Sequence, residues 1–368
     1  MKQTVLFIQK EPVLTAASIL ALISVFFVPP DSTYLQYIDF KTLLCLFCLM
    51  TALKGIEREG LLNAISVKLS SGMKDLKPFI FLLVFTCFFA SMIMTNDVAL
   101  IALIPITLSV LSLCGQERHT ALVVVLQTIA ANIGSSLTPI GNPQNLYLFT
   151  RYEFGLSSFL RVTFPFVLFG GILLALVCFF IPRHPISQVN STAPVIRKRP
   201  VIAYGAMFFL AVAAVLRLVP YQAAALTILA ATAILDRRTL CQVDYCLLLT
   251  FAAIFIFVGN LARIDWVYQT VSGLIRKDTM VTAALLSQFI SNVPAAVMLS
   301  GFTENASQLL TGVNVGGMGT LIASMASVIS YKLYAAAYPR KTFLFLGIFT
   351  AFNLLFLIAL LLFEGILM

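Results

Sequence analysis

The chain has 368 residues, of which 60% are hydrophobic and only 11% charged, and its mean hydropathy is +0.99. Soluble domains carry roughly a quarter of their residues as charged side chains, so a water-soluble fold is excluded and an all-α polytopic membrane protein is expected. The formal net charge of +9 follows membrane orientation and calls for no nucleic-acid partner.

Apolar runs of roughly 18 residues, the length a helix needs to cross hydrocarbon, recur along the whole chain. In chain order, spans are expected at 12–30, 36–53, an interrupted pair within 78–113, an interrupted helix over 119–150, then 162–182, 201–219, 221–235 and 244–262. A second interrupted pair within 279–311, an interrupted helix over 314–338 and a last span at 342–366 complete the series. No small-x-small cleavage site follows the first run, which therefore reads as a retained helix rather than a signal peptide. If both interrupted pairs re-enter on the side they came from, a cytoplasmic N-terminus gives nine crossings and an external C-terminus. Lys54, Arg58, Arg183, Arg197, Lys198, Arg199, Arg237 and Arg238 then face the cytoplasm, in keeping with the positive-inside bias. A multi-pass protein of a bacterial inner membrane is expected. The seven cysteines lie mostly in or beside apolar spans and suggest no disulfide framework. The Cys45 to Cys48 pair in "CLFC" lacks the histidine or second pair a metal site needs.

The polar stretch 183–200, "RHPISQVNSTAPVIRKRP", reads as a cytoplasmic linker between a first transmembrane repeat at 1–182 and a second at 201–368. A basic amphipathic segment precedes each interrupted pair, one from Lys54 to Lys77 and one from Arg263 to Asp278, and both suit the membrane surface.

The motifs repeat as well. "MTNDVALIAL" from Met94 matches "ISNVPAAVML" from Ile290, each with a hydroxyl residue then asparagine at a break in apolar sequence: Thr95-Asn96 and Ser291-Asn292. "NIGSSLTPIGNPQN" from Asn132 aligns on "NVGGMGTLIASMAS" from Asn314, pairing Asn132 with Asn314, Gly134 with Gly316 and Thr138 with Thr320. One odd helix near 201–219 would insert the second half upside down. Inverted-topology repeats, each with a re-entrant hairpin and a discontinuous helix, point to a secondary transporter and to its binding site.

Irregular backbone survives at membrane depth only when buried in protein or lining a water-filled cavity. A half-helix ending near Thr138 would offer carbonyl oxygens to a cation. One starting with Asn142 as cap and Pro143 in its first turn would aim amides at an anion. Gly134 and Gly141 permit the tight backbone, Pro139 helps break the helix, and Gln144 and Asn145 follow the cap. Thr95 and Asn96, with Ser291, Asn292 and Pro294, would serve at the hairpin tips. Asn314, Gly316, Gly317, Gly319, Thr320 and Ser324 are the second-half counterparts, where glycines replace the Thr-Pro and Asn-Pro pairs.

"TNDVAL", "NIGSSLTPIGNPQN" and "SNVPAAVML" resemble the ion transporter superfamily, which includes arsenite efflux permeases, sodium/proton antiporters, and citrate and dicarboxylate transporters. Within it, the similarity is strongest to uncharacterised inner-membrane permeases of citrate-transporter type. The resemblance spans nearly the whole chain. It implies a dimerising scaffold subdomain and a transport subdomain that moves as an elevator. It also implies one ion site at Asn96 and the 138–142 loop, and a counterpart at Asn292 and the 316–324 loop.

Two charges stand in the interrupted segments near the repeated motifs, Asp97 and Lys332. A carboxylate at low dielectric favours a bound proton or cation, so Asp97 is the candidate for H⁺ or Na⁺ coupling, with Asn96, Thr138 and Asn142 as further Na⁺ ligands; alternatively it only caps a helix. Lys332 either neutralises a substrate anion, replaces a cation at the second site, pairs with Asp97, or snorkels to the cytoplasmic surface. Gln127, Thr128, Gln144, Asn260, Gln288 and Asn353 are read as cross-helix bonders, with Gln288, one turn before the Ser291-Asn292 tip, and Gln144, in the first interrupted helix, the first two to mutate. No metal and no organic cofactor is expected. The expected activity is transport of a small anion, an inorganic oxyanion or a di- or tricarboxylate, coupled to H⁺ or Na⁺. Arsenite or antimonite efflux and Na⁺/H⁺ exchange are the alternatives. A passive channel fits paired hairpins poorly. An intramembrane enzyme lacks any catalytic dyad or carboxylate pair in a span.

Overall fold

A computed structural model describes residues 12–61, 64, 75–113, 115–183 and 196–367. Most of the expected linker at 183–200 and much of the basic segment from Lys54 to Lys77 lie outside the described residues. The rest is helical. Helix α1 (Pro12–Phe27) is followed by the short α2 (Tyr34–Tyr37) and by α3 (Phe40–Arg58). The hairpin α4 (Leu76–Ile93) and α5 (Asn96–Leu113) precedes a helix broken into α6 (Thr120–Ser135) and α7 (Pro143–Arg151), and α8 (Leu156–Phe179) follows. After α9 (Lys198–Val215) come α10 (Tyr221–Leu235), the short α11 (Arg237–Leu240), α12 (Tyr245–Ala262) and the surface helix α13 (Asp265–Lys277). The hairpin α14 (Thr279–Ile290) and α15 (Asn292–Ser300), the broken pair α16 (Ala306–Val315) and α17 (Met325–Ala337), and α18 (Thr342–Leu367) complete the chain. Five helical segments among the described residues, including α4, α8, α9, α12 and the one ending in α18, are long and apolar enough to cross a membrane.

The two halves correspond element by element. Helices α1 and α10 are each followed by an aspartate and a four-residue helix. A second aspartate then caps α3 or α12: Asp39 Oδ1 accepts the Thr42 amide at 3.0 Å and Asp244 Oδ1 the Leu247 amide at 2.9 Å. Near the end of each long helix a glycine lies against a tyrosine ring. A Cβ on Gly55 would stand 2.2 Å from the Tyr204 ring, and one on Gly259 would stand 2.4 Å from that of Tyr37. An arginine just beyond closes the unit. Arg58 reaches Asp236 at 2.7 Å and Thr239 at 2.8 Å, while Arg263 reaches Asp31 at 2.8 Å and Thr33 at 3.1 Å. The Thr33 hydroxyl, then Arg263, hold the Asp31 carboxyl below its usual range.

Packing between the halves is reciprocal, as a twofold relation demands. Helix α5 packs on α17 and α15 on α7; α18 packs on α6 and α8 on α16. Helix α9 stands outside this correspondence. The halves differ in their hairpins: arms of 18 residues each in the first against 12 and 9 in the second. At about 1.5 Å per residue the short arms reach only partway through a bilayer, so the second hairpin re-enters.

One boundary differs from expectation. The second broken helix starts at Ala306, not 314, because Asn305 caps it by accepting the Gln308 amide. The second hairpin accordingly ends at Ser300 rather than 311. Helix α1 is part of the core, packed on α12 through Ala17 and neighbours.

Candidate functional site

The two hairpin tips and two helix breaks meet, so eight helix ends converge. In the first break, α6 stops at Ser135 and α7 begins at Pro143, with Asn142 as cap accepting the Asn145 amide at 2.9 Å. Proline at the first helical position leaves no amide to satisfy there. The Asn145 side chain fills the turn, its Nδ2 donating to the carbonyls of Ser136 and Thr138, both at 3.1 Å. The Asn96 amide donates to Gly141 O at 3.0 Å and the Thr138 hydroxyl to Met92 O at 2.6 Å, which locks hairpin tip to break. The helix thus ends three residues before Thr138, and the carbonyl and hydroxyl of Thr138 expected to face a cation are engaged by protein groups. Gly134 and Gly141 serve close packing: a Cβ on either would stand 2.1 Å from a backbone oxygen, of Phe88 or Ser135. Pro139 lies buried in the turn and Gln144 buried in the first turn of α7.

The second break, without prolines, is filled from the hairpin by Gln288. Its Nε2 donates to Gly316 O at 2.8 Å and Met318 O at 3.0 Å, and its Oε1 accepts the Thr320 amide at 2.8 Å. Gly319 has φ +111° and its α-carbon faces Gln288, where a Cβ would stand 2.1 Å from Oε1. Gly316 and Gly317 lie against Ala284 and Asn292. At the tip, Ser291 adopts φ +74°, a region that a side chain occupies only under strain; Asn292 opens α15 and Pro294 follows within its first turn. Ser324 caps α17.

Asn132 and Asn314, one from each half, join the two breaks. Asn132 Oδ1 accepts from Asn96 Nδ2 and from the Ser324 hydroxyl, both at 3.1 Å, and its Nδ2 donates to Gly317 O at 3.3 Å. Asn314 Oδ1 accepts from the Ser136 hydroxyl at 3.0 Å and Asn142 Nδ2 at 3.2 Å, and its Nδ2 donates to Asn145 Oδ1 at 2.6 Å. The asparagines are buried, and so dense a network costs little only when its members are satisfied. A solute entering here must exchange bonds with them.

Two mouths lie along α3 and α12, and the first reaches this centre at Asn142. The first is a cavity of about 160 Å³ lined by Thr95, Asp97, Asn142 and Asp244, with the Lys54–Glu57 pair at its edge. Asp97 Oδ1 is buried there without a hydrogen-bond partner. The second, about 690 Å³, is lined by Asp39, Tyr147, Arg151, Arg263 and Ser300 among others. The capping aspartates Asp244 and Asp39 therefore stand at opposite mouths, as the exchange of α3 for α12 requires.

Two expected residues stand apart. Thr320 is exposed, its amide and hydroxyl both bound to Gln288. Lys332 is exposed beside a separate small cavity, and no ion pair joins it to Asp97 among the described residues. Sequence reading passed over Asp39 and Asp244, whose signal was the repeated apolar-Asp-aromatic triplet, Ile38-Asp39-Phe40 and Val243-Asp244-Tyr245. It singled out Gln288 for its place beside the hairpin tip but not for its bonds to the second break.

A family model described as citrate transporter matches residues 4–311. An uncharacterised transporter of Methanocaldococcus jannaschii is 34% identical over 84% of this chain and 85% of its own length. The inner membrane protein YbiR of Escherichia coli is 30% identical over 84% of each. The crystal structure of the Alcanivorax borkumensis YdaH transporter, described as having an unusual topology, superposes with TM-score 0.55 at 15% identity, covering 91% of this chain and 87% of that one. That likeness shows a shared fold.

Proposed function

Because the chain belongs to the citrate transporter family, we propose that it is a secondary active transporter. Its cargo is a small anion, an inorganic oxyanion or a di- or tricarboxylate, moved across the inner membrane with H⁺ or Na⁺. The observation that carries this reading is the pair of cavities, about 690 and 160 Å³, that occupy corresponding places in the two halves, the smaller reaching the polar centre at Asn142 and the larger lying along α7 at Tyr147 and Thr150. Unequal openings in corresponding places fit alternating access, in which the halves exchange roles; a channel needs one continuous path. Helices α3 and α12 border both mouths against hairpins and broken helices, which supports a fixed scaffold and an elevator-like transport part, with the scaffold as the dimerising face. The repeats run at 1–182 and 201–368. The charge bias supports a cytoplasmic Lys54 mouth and N-terminus and an external C-terminus. The N-termini of α7 and α15 supply amides for an anion, and Asp97 is the coupling group.

A second reading, efflux of a neutral hydroxide such as arsenite, is favoured by one feature: the bonds at the centre come from asparagines, hydroxyls and backbone, with no Lys or Arg among them. Purified protein in liposomes separates the two. Citrate, dicarboxylates, phosphate, sulfate and arsenite are offered with imposed H⁺ or Na⁺ gradients, using wild type and Asp97→Asn. Gradient-driven anion flux lost in Asp97→Asn is expected. Arsenite flux alone selects the second reading, and flux unchanged in the variant refutes the role of Asp97.

A further inference from the structure

Two cavities outside the polar centre share a wall at the tip of the second hairpin. The larger, about 570 Å³, is apolar and lies between Leu20 of α1, Ile254 and Phe257 of α12, and Leu286 and Phe289 of α14. The smaller, about 80 Å³, carries Asp244, Thr250 and Lys332. Both are bounded by Val13, Ser291, Pro294, Met325 and Val328. We propose that together they hold one bilayer phospholipid whose headgroup joins a phosphate to a primary ammonium and bears no further charge, that is, phosphatidylethanolamine. Its acyl chain fills the apolar groove and its headgroup lies between Lys332 and Asp244.

Length, polarity and charge each support this occupant. From Asp244 to Phe257 the helix rises about 20 Å at 1.5 Å per residue, which matches one leaflet of a bilayer whose hydrocarbon core is roughly 30 Å thick plus part of a headgroup. Polar groups gather at one end of that path. Phe289 is 77% exposed and Ile322 56% exposed, surface that in a membrane protein faces hydrocarbon. Lys332 is exposed and makes no hydrogen bond or ion pair among the described residues, so its ammonium is available to a phosphate. Asp244 takes one backbone amide, from Leu247, and has no ion pair among the described residues, so it is available to an ammonium. One cation and one carboxylate match a zwitterion bearing N–H donors. A purely anionic headgroup would meet the Asp244 charge, and a quaternary ammonium has no N–H to give. The lipid would touch the Ser291–Pro294 tip on one side and α1 and α12 on the other, so its presence bears on how the hairpin moves past the frame.

Trp266 is the single tryptophan of the chain. A Trp266→Phe, Phe257→Trp protein in liposomes reports contact with bromine-labelled acyl chains through fluorescence quenching. Brominated phosphatidylethanolamine at low mole fraction in phosphatidylcholine should quench about threefold or more strongly than brominated phosphatidylcholine or phosphatidylglycerol at the same fraction. Lys332→Gln and Asp244→Asn should each bring that ratio toward 1, while Lys332→Arg keeps it. Asparagine is itself a good helix cap, so Asp244→Asn removes charge and leaves the start of α12 intact. Equal quenching by the three lipids, or preference for phosphatidylglycerol, overturns the proposal. Native mass spectrometry of the wild type tests the same point without the reporter: a retained phosphatidylethanolamine supports it, and none, or another lipid class, refutes it.

Discussion

Replacing Gln288 with alanine tests how the second helix break is held. The side chain supplies three bonds that no other group replaces, two from its Nε2 to the carbonyls of Gly316 and Met318 and one accepted from the Thr320 amide; the Ala284 carbonyl, also within reach of Nε2, lies within a helix and only competes for the same two N–H groups. A hydrogen bond contributes about 1 kcal/mol net, and an orphaned buried group costs about 1–3 kcal/mol, whereas cross-helix bonds in bilayers average nearer 0.6 kcal/mol. Gln288 is half-buried and Thr320 exposed, so water relieves part of the loss. The expected destabilisation is therefore about 2–3 kcal/mol, concentrated in residues 316–324. Unfolding in mixed micelles gives the total, and hydrogen exchange by mass spectrometry gives the location. Gln288→Glu keeps the size and the acceptor but sets a carboxylate oxygen against the Gly316 and Met318 carbonyls, and should cost at least as much as alanine. A loss under about 0.5 kcal/mol, with unchanged exchange at 316–324, would refute the assignment of this amide as the support of the break.

Ser291→Gly should relieve the φ +74° conformation and stabilise the protein by about 1 kcal/mol in the same unfolding assay. Gly319→Ala should do the reverse by more than about 2 kcal/mol, since it meets both φ +111° and the Gln288 oxygen. Asn142→Ala removes a cap worth about 1 kcal/mol together with the bond to Asn314, so Asn142→Asp, which keeps the cap, should recover the fold better than it recovers solute uptake in liposomes. The exposed Asp31 carboxyl is held below its usual range in the folded state. Its contribution is therefore present above about pH 4, near the unfolded value, and is lost as pH falls through the folded one. The melting temperature should stay flat with respect to this group from pH 5 to 8, and Asp31→Asn should remove part of any decline seen below pH 4.

The breaks were legible because lipid leaves few uses for Asn, Pro and Gly in mid-span. "NIGSSLTPIGNPQN" shows cap, turn and proline in order, and the structure places Asn142 and Pro143 as that order implies. What fills the breaks was hidden, since whether Asn145 and Gln288 meet carbonyls depends on where two other helices pass. The start of α16 was misplaced because "ASQLLTGVNV" continues the apolar character of the hairpin after a loop of only five residues. Thr320 was chosen by alignment with Thr138, but Gly319, which stands in place of Leu137 and adopts φ +111°, turns the chain so that Thr320 is exposed. The shared architecture of α1–α3 and α10–α12 escaped detection because its marks, an aspartate, a glycine and an arginine tens of residues apart, are ordinary loop residues until folded together.

Those marks have a mechanical meaning. Arg58 with Asp236 at one surface, and Arg263 with Asp31 at the other, bolt the same pair of three-helix units together from above and from below. Two ion pairs at opposite ends of the same interface oppose both sliding and tilting of one unit against the other, which a single pair at one end would not do.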